Sequence, residues 1–405
     1  MKSVLWLNQF ALLPSDGGGT RHFELGRELT KAGWRVTVFA SDLHLHSREF
    51  TRRTSVQDRS DHVETIEGVE FRWLWAARYS ANNWQRLWNW ITFCRSALRA
   101  SRGDTARPDI VIGSSPQLFA ALAARLIARR LKTPFVFEVR DLWPESLVAV
   151  GARKGLVYWC FDRLASYLYS SADRIVVLAR GVKDHLERRG VPGEKIVYVP
   201  NGVDTQAVTP AHGQGDAIAG PMTLVYAGAH GPANGLDVLL RAAEILVDDE
   251  RFRFLLVGDG PAKVELMSFA RERALGNVEF RDPVSKPELV RLLNDSDAGL
   301  MLLRDATLFR FGVSPNKLFD YLAAGLPVVC NVPGEVAEMV ADAGAGIQAA
   351  DASAEALAAS VNEFAERSAA DRDRMSATGR EWVVREHGRG VLGKKLDGFL
   401  NDLIQ

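Results

Sequence analysis

The stretch Ser314–Val329, SPNKLFDYLAAGLPVV, predicts a buried helix that runs directly into a buried strand. Ser is a favoured N-cap and Pro a favoured first helical residue, so we expect the helix to begin at Pro315. Lys317 and Asp320 are three residues apart and share one helix face. A helix followed at once by a Val-rich strand is typical of α/β proteins.

The same alternation extends outward in both directions. Short runs rich in Val, Ile and Phe alternate with helical patterns, which favours parallel sheets covered on both faces. Only Asn201–Pro221 lacks periodicity and is rich in Gly, Ala and Pro, as expected of an interdomain linker. We therefore predict two doubly wound, Rossmann-like domains facing across a cleft, over 1–204 and 205–385, and a C-terminal helix over 386–405. In such sheets ligands bind beyond the carboxyl ends of the strands.

Composition excludes several classes of protein. The 405 residues hold 50 Lys plus Arg and 50 Asp plus Glu, and this balance argues against general nucleic-acid binding. The three cysteines are far apart, with no CxxC spacing, which fits a reducing compartment and excludes a cysteine zinc site. No stretch approaches the roughly 18 apolar residues of a membrane span. We expect a cytoplasmic protein.

The start of the predicted helix is suited to phosphate. Unpaired N–H groups at a helix N-terminus attract phosphate, and this places Ser314, Pro315 and Asn316 near a ligand. Lys317 would add a positive charge beside that phosphate, in opposition to the helix dipole. Asp320 could accept hydrogen bonds from a vicinal diol such as a ribose. The alternative is a surface Lys–Asp pair.

Three glycine-rich loops follow predicted strands. Gly18 and Gly19 allow close approach of a ligand, with Arg21 beyond them, and Gly228 and Gly231 could embrace a diphosphate. Tight structural turns remain the alternative for both loops. Gly258 and Gly260 form the third loop, but no third glycine follows at the spacing of a dinucleotide fingerprint, which argues against NAD.

Charged residues follow other strands. In FEVRDLWPES, Asp141 could orient a nucleophilic hydroxyl, Glu145 could bind sugar hydroxyls and Arg140 lies beside them, unless Arg140 and Asp141 simply pair with each other. Arg180 and Asp282 also follow strands and are candidates. Asp295 and Asp297 have a metal-compatible spacing but precede a strand, so we interpret them as caps and turn formers, and we expect no metal and no cofactor.

Half of the ten tryptophans lie between residues 73 and 90. The segment NNWQRLWNWITFCRSALRASR is amphipathic and combines Trp, Leu, Ile and Phe with four arginines. Such a helix can lie at a membrane interface or touch a lipid-borne acceptor. An aromatic core with solvated arginines is an equal alternative.

Taken in order, five segments resemble a known family. They are GGGTRHFELGRELTKAGWRVTVFAS, RDLWPES, VPNGVD, LVGDGP and SPNKLFDYLAAGLPVV. The chain resembles the family 4 retaining glycosyltransferases of the GT-B fold, over essentially its whole length. The second and fifth segments are most similar to the branch with proposed N-acetyl-L-fucosamine transferases of bacterial O-antigen and capsule synthesis.

The resemblance implies transfer of a sugar, with retention, from a nucleotide-sugar to a glycan or polyprenyl-diphosphate-linked acceptor. It implies a UDP-linked donor in the second domain, the acceptor in the first, no metal, and a final helix that returns to the first domain. A UDP-sugar transferase of this kind could be peripheral at the inner face of the cell membrane. Asp320 matches the second acid of the family's Glu-x7-Glu motif, which binds the nucleotide ribose.

The sequence departs from the family in two places. The first acid of that motif falls on Gly312, which leaves a deoxy or N-acetylated hexose among the candidate donors. The family's usual Arg and Lys for the diphosphate fall near Ala229 and Asn234, so Lys317 and backbone N–H groups would replace them. Two alternatives follow: an enzyme like the UDP-N-acetylglucosamine 2-epimerases, and a GT-B protein that binds a nucleotide or glycan without catalysis.

Overall fold

A computed structural model describes residues 1–16, 19–45, 47–55, 57–81, 83–103, 107–149, 154–208, 220–304 and 312–404. The chain divides into two compact units. The first comprises Met1–Pro200 with Arg389–Gln405, and the second is Asn201–Gly388. The closing helix thus belongs to the first unit, and each division lies a few residues from the boundary predicted from sequence. Most of the predicted linker falls outside the described residues, as does Gly18.

An eight-stranded sheet forms the centre of the first unit in its described part. Its order is β3-β4-β2-β1-β5-β6-β7-β8, and its central strands are buried on both faces, as expected for crossover-linked parallel strands. The strands are β1 Ser3–Leu7, β2 Arg35–Ser41, β3 His62–Ile66, β4 Val69–Leu74, β5 Ile110–Ser114, β6 Phe135–Val139, β7 Arg174–Val177 and β8 Ile196–Tyr198.

The sheet is not purely parallel, which corrects the sequence-based expectation. β3 pairs antiparallel with β4 and forms an edge hairpin. Its two turn residues, Glu67 and Gly68, have φ of 48° and 82°, which is the backbone of a tight two-residue hairpin turn. The polar, half-exposed strand HVETI lacks the apolar run that marks a buried strand. The Glu67-Gly68 dipeptide before VEF was the one sequence feature that indicated a hairpin turn here.

Two layers of helices cover this sheet. α3 packs between α2 and α5, whereas α1 packs against the closing helix α14. Because crossovers between parallel strands are right-handed, the opposite directions of the β1–β2 and β5–β6 connections place α1 and α3 on opposite faces. The helices are α1 Arg21–Lys31, α2 Trp84–Ala100, α3 Leu118–Leu131, α4 Glu145–Ala149, α5 Leu156–Ser171, α6 Arg180–Arg188 and α14 Arg389–Ile404.

The second unit has a parallel sheet of six described strands in the order β11-β10-β9-β12-β13-β14. These strands are β9 Met222–Ala227, β10 Phe252–Val257, β11 Val278–Arg281, β12 Ala298–Met301, β13 Val328–Cys330 and β14 Gly346–Gln348. Its helices are α7 Leu236–Ile245, α8 Lys263–Glu272, α9 Lys286–Asn294, α10 Asn316–Ala323, α11 Glu335–Asp342, α12 Ala354–Glu366 and α13 Ala369–His387.

Candidate functional site

In the second unit, β9 and α10 bring Lys317 beside the glycine loop that follows β9. Lys317 Nζ donates to Tyr226 Oη at 2.9 Å and to Asn234 Oδ1 at 3.3 Å. It also lies 4.2 Å from the centroid of the Tyr226 ring. Burial lowers the pKa of Lys317 from 10.5 to about 7. Among the residues that the structure describes, no carboxylate pairs with this ammonium group.

The loop after β9 has room for Lys317 because Gly228 carries no side chain. A Cβ at Gly228 would lie 3.5 Å from Lys317 Nζ and 3.3 Å from Tyr226 Oη, at a φ of 157° that side chains rarely adopt. Tyr226 Oη in turn donates to Ala229 O at 2.9 Å. The lysine therefore reaches the loop that holds Ala229 and Asn234, near which the sequence resemblance would place an Arg and a Lys.

The loops after β9 and β10 pack tightly against each other. A Cβ at Gly258 would come within 1.9 Å of Gly228 O, and one at Gly260 within 2.5 Å of His230 O. Gly258 and Gly260 therefore allow the two loops to pack closely, and this packing explains the two glycines without a bound dinucleotide. Gly231 lies in the same loop, next to the short helical turn Pro232–Asn234.

Sequence reasoning missed His230, which is fully buried in this loop. Neither ring nitrogen has a hydrogen-bond partner among the described residues. Burial lowers its pKa to about 4, with the charges of Lys263 and Lys317 acting in the same direction, so the ring is neutral near pH 7. A single histidine in a glycine-rich loop gave no spacing signal.

Lys317 and Asp320 do not form the surface pair that was the alternative interpretation. Asp320 accepts from Lys286 Nζ at 2.5 Å, at the start of α9, whereas Lys317 turns toward Tyr226. The two charges share a helix but have separate partners. Asp320 is half-buried, and Lys286 is largely exposed and can move away.

The start of α10 differs from the prediction. The helix begins at Asn316, with Pro315 at the N-cap position, extended backbone and no side-chain cap. Ser314 does not cap the helix: its Oγ accepts from Asn201 N at 2.8 Å, and its carbonyl accepts from Asn201 Nδ2 at 2.7 Å. The Asn201 segment thus uses the hydroxyl group that would have capped the helix, and no side chain of the described residues caps the N–H groups of the first turn.

Asp282 follows β11 at the same edge of the sheet. Its carboxylate accepts from Lys263 Nζ at 2.6 Å, and the hydrogen bond and charge of Lys263 lower its pKa. Lys263 also donates to Gly258 O at 2.8 Å and so links Asp282 to the glycine loops. The Asp282 side chain is 92% exposed. Asp297 has a structural contact instead, because its carboxylate accepts from Thr223 N at 2.8 Å at the start of β9.

The first unit contains a buried polar cluster that includes Arg21. Arg21 is 2% exposed, and its Nε lies 2.9 Å from Glu138 Oε1. It also donates to the carbonyl groups of Val199 and Pro200. These partners occupy the guanidinium group, so the structure gives Arg21 a positioning role inside the unit and does not present it to an acceptor.

Glu138 also joins His22 and Ser114. Ser114 Oγ donates to Glu138 Oε2 at 2.6 Å, and His22 Nε2 lies 3.3 Å from the same oxygen. Burial opposes ionisation of Glu138, but Arg21 and His22 outweigh it and hold the pKa well below its usual range. Burial lowers the pKa of His22 to about 4, which keeps this ring neutral near pH 7.

The remaining candidates of the first unit differ in accessibility. Asp141 is exposed after β6 and forms no ion pair with Arg140 among the described residues, although Arg140 Nε is buried without a hydrogen-bond partner. Desolvation by the surrounding protein raises the pKa of Asp141, and the positive charge of Arg140 opposes that rise. Ser115 Oγ accepts from the backbone N–H groups of both residues and fixes this turn.

Glu145 and Arg180 have different surroundings. Glu145 is held by Arg189 at 2.7 Å and lies 3.3 Å from His185, an arrangement that ties α4 to α6. Arg180 is exposed at the start of α6, with its guanidinium carbon 5.7 Å from the Tyr198 ring. Gly19 is exposed ahead of α1.

Comparison with known proteins agrees with this geometry. Residues 16–202 match the Glycosyl transferase 4-like domain, and residues 221–367 match the Glycosyl transferases group 1 family. Sucrose-phosphate synthase from Thermosynechococcus elongatus superposes with a TM-score of 0.79 at 15% identity, covering 100% of this chain and 99% of its own. The chain is a glycosyltransferase of the GT-B fold.

Other glycosyltransferases share part of its sequence. The probable glycosyltransferase WbjE of Pseudomonas aeruginosa is 26% identical over 66% of this chain and 68% of its own length. The putative colanic acid biosynthesis glycosyl transferase WcaI of Escherichia coli is 27% identical over 54% of this chain and 56% of its own. Anabaena Alr3699/HepE, solved in complex with UDP-glucose, has a TM-score of 0.69 at 14% identity and covers both chains fully.

Proposed function

We propose that this GT-B glycosyltransferase moves a hexose, N-acetylated or deoxy, from a UDP-sugar to a glycan or polyprenyl-diphosphate-linked acceptor in bacterial surface polysaccharide synthesis. The observation that carries the proposal is Lys317, a half-buried ammonium with no carboxylate partner among the described residues, at the uncapped start of α10. A buried cation is costly unless an anion pairs with it. A donor diphosphate is such an anion.

The other candidates fit the same ligand. Asp320 lies one turn beyond Lys317 and could exchange the exposed Lys286 for the hydroxyl groups of a ribose. The names of the relatives, with WcaI linked to colanic acid, support the polysaccharide assignment. The complex of Alr3699/HepE with UDP-glucose supports a UDP-linked donor. The resemblance to N-acetyl-L-fucosamine transferases supports an N-acetylated, deoxy sugar.

The proposed reaction retains the anomeric configuration. An acceptor oxygen forms a bond to the anomeric carbon as the bond from that carbon to the diphosphate breaks. A phosphate oxygen of the departing UDP takes the acceptor proton. Lys317 and the N–H groups of α10 stabilise the charge that develops on UDP, and this stabilisation is the main source of rate enhancement. The second unit holds the donor, and Asp141 in the first unit orients the acceptor hydroxyl group.

We propose that no metal is required, because Lys317 supplies the positive charge at the diphosphate. We further propose that the enzyme is cytoplasmic and works at the inner face of the cell membrane, where a polyprenyl-linked acceptor would be found. Among the helices that the structure describes, none has the length and apolar character needed to cross a bilayer.

Thermal unfolding with UDP, GDP, ADP or NAD tests the proposal. A ligand that binds the folded state raises Tm by mass action. We expect UDP to raise Tm in the wild type and in Asp373→Ala, an exposed helical aspartate of the same unit, but not in Asp320→Ala. Stabilisation by GDP would move the donor to a GDP-sugar, and a response to NAD alone would contradict the transferase function.

Turnover then separates the remaining alternatives. A transferase releases UDP only when an acceptor is present, whereas a UDP-N-acetylglucosamine 2-epimerase-like enzyme converts its UDP-sugar without one. A non-catalytic nucleotide- or glycan-binding protein releases none. We expect acceptor-dependent release that EDTA does not reduce.

A further inference from the structure

The first turns of α2 and α5 expose large apolar side chains to solvent. Trp84 is 71% exposed and Trp88 45% exposed on α2, whereas Leu156, Val157 and Trp159 of α5 are 77%, 66% and 59% exposed. The sequence had drawn attention only to α2. Leaving several such side chains in water is unfavourable, and clustered apolar exposure marks an interaction surface.

These two helix ends lie on the same face and the same edge of the first unit. α3 packs between α2 and α5, and the Trp90 ring of α2 contacts the Phe161 ring of α5 with centroids 6.0 Å apart. Both helices lead back from the carboxyl end of one strand to the start of another, so both begin at the carboxyl edge of the sheet. The exposed side chains of their first turns define the α2/α5 face.

A basic groove adjoins this face along α2. It encloses about 430 Å³ and is lined by Trp75, Trp88 and three arginines, Arg59, Arg95 and Arg99. Arg99 lies 3.7 Å from the Asp61 carboxylate, and the guanidinium carbon of Arg59 lies 4.6 Å from the Trp75 ring centroid. Within the part of the chain that the structure describes, neither Arg59 nor Arg95 has an acidic partner. The arginine groove therefore carries net positive charge beside exposed tryptophans.

We propose that the α2/α5 face and the arginine groove form one docking surface for an anionic lipid membrane. The apolar side chains would enter the lipid interface, and the arginines would receive the phosphate of an acidic headgroup. Helices that combine tryptophan and leucine with arginine are typical of segments that bind anionic membranes. A second copy of this chain fits less well, because its own arginine groove would repeat the same charge.

This surface deepens the proposed function, since it would hold the carboxyl edge of the first unit near a lipid-linked acceptor. Lipid binding itself needs neither donor nor acceptor. Measuring it without nucleotide therefore separates its failure from that of the proposed UDP site, which the thermal shift with UDP tests on the same preparations.

Sedimentation with vesicles of phosphatidylcholine, with and without phosphatidylglycerol, tests the docking surface. We expect binding only to the vesicles with phosphatidylglycerol, and weaker binding at high salt. Each arginine near an anionic surface contributes about fivefold in affinity, so the double variant Arg95→Gln/Arg99→Gln should lose roughly 25-fold. Trp84→Ser/Trp159→Ser should also lose binding.

Matched changes in the second unit serve as controls. Arg271→Gln and Val264→Ser remove an exposed arginine and an exposed valine elsewhere, and should bind vesicles as the wild type does. Cys160 on α5 is exposed whereas Cys94 and Cys330 are buried, so a polarity-sensitive dye on Cys160 should report an apolar environment only with anionic vesicles.

Four outcomes would overturn the proposal. They are absence of vesicle binding, equal binding to neutral vesicles, equal losses in the control variants, and release by inorganic phosphate at constant ionic strength. The last outcome would mean that the groove takes a free phosphate. All altered residues except the controls lie on the exposed surface of the first unit, and thermal unfolding checks that each variant is folded.

Discussion

Arg21 in the first unit is a buried cation and Lys317 in the second is a half-buried one, and their surroundings differ. Arg21 contacts a carboxylate, Glu138, and two backbone carbonyls. Among the described residues, Lys317 donates hydrogen bonds only to the neutral groups of Tyr226 and Asn234, and burial lowers its pKa to about 7. A cation that the fold has already paired is structural, whereas one paired only with neutral oxygens can still receive an anion.

The largest effect expected from this comparison is that of Glu138→Gln. It leaves the Arg21 guanidinium buried without its charge partner, so we expect the unfolding free energy to fall by about 3–5 kcal/mol. Urea unfolding of the purified protein measures this loss. The increase in Tm on addition of UDP should survive, because the nucleotide contacts are proposed for the second unit.

The control is Glu244→Gln, which breaks the exposed pair with Arg273. Exposed pairs contribute about 0–1 kcal/mol, so this variant should unfold nearly as the wild type does. A loss in Glu138→Gln no larger than in the control would mean that the buried cluster does not hold the first unit together.

Lys317→Met should have the opposite pattern. A hydrogen bond to a charged group contributes about 1.5–3 kcal/mol, so UDP affinity should fall roughly 10- to 100-fold. Without ligand, the variant should be more stable than the wild type, because folding no longer has to desolvate the Lys317 charge. We expect a gain on the order of 1–2 kcal/mol, a value reduced to allow for the partial solvent contact of Lys317. Calorimetric titration with UDP and urea unfolding without ligand give the two values.

Lys183→Met removes an exposed lysine of the first unit and should change neither quantity appreciably. If Lys317→Met bound UDP as tightly as this control, the lysine would not contact the diphosphate. If it were less stable than the wild type, the ammonium group would be structural, as Arg21 is.

The smallest effect is a pH dependence of UDP affinity. The diphosphate should raise the pKa of Lys317 from about 7, so UDP binding takes up a proton above pH 7. UDP affinity should therefore fall as pH rises above about 7, by at most about tenfold per unit. The UDP phosphates are already ionised there and do not oppose the trend.

The stability of the ligand-free protein should change in the opposite direction. Between about 7 and 10.5 the unfolded chain holds the Lys317 proton and the folded chain does not. Stability from this group therefore rises with pH across that window. Titrations at several pH values, with Lys317→Met as the flat reference, measure both trends, and a wild-type profile as flat as the reference would contradict the lowered pKa.

Local patterns predicted the fold class and the region of the proposed donor site. Alternating apolar runs predicted both sheets, and the comparison with known GT-B proteins confirms the fold. The position of Lys317 indicates a phosphate ligand, because a positive charge in the first turn of a buried helix opposes the helix dipole. The sequence does not indicate the edge strand β3, because its side chains are polar. It also does not indicate the exposed surface of α5, because so apolar a helix suggests a buried core element.

The partners of the charges could not be predicted from local patterns. Arg21 was predicted from its place after a glycine loop, but it pairs with Glu138, 117 positions away. Glu145 was assigned to sugar hydroxyls, but Arg189 holds it, 44 positions away. Ser314 was assigned as a helix cap, but it accepts from Asn201, 113 positions away.

The sequence by itself determined the alternation of buried strands and helices, the position of the glycine loops and the place of Lys317 in the first turn of a helix. These features depend on periodicity and on backbone preferences, which act within a few residues. Only the tertiary structure decided which charges are paired within the fold and which remain open to a ligand. That choice depends on burial and on contacts between distant segments, since desolvation and ion pairing act through space.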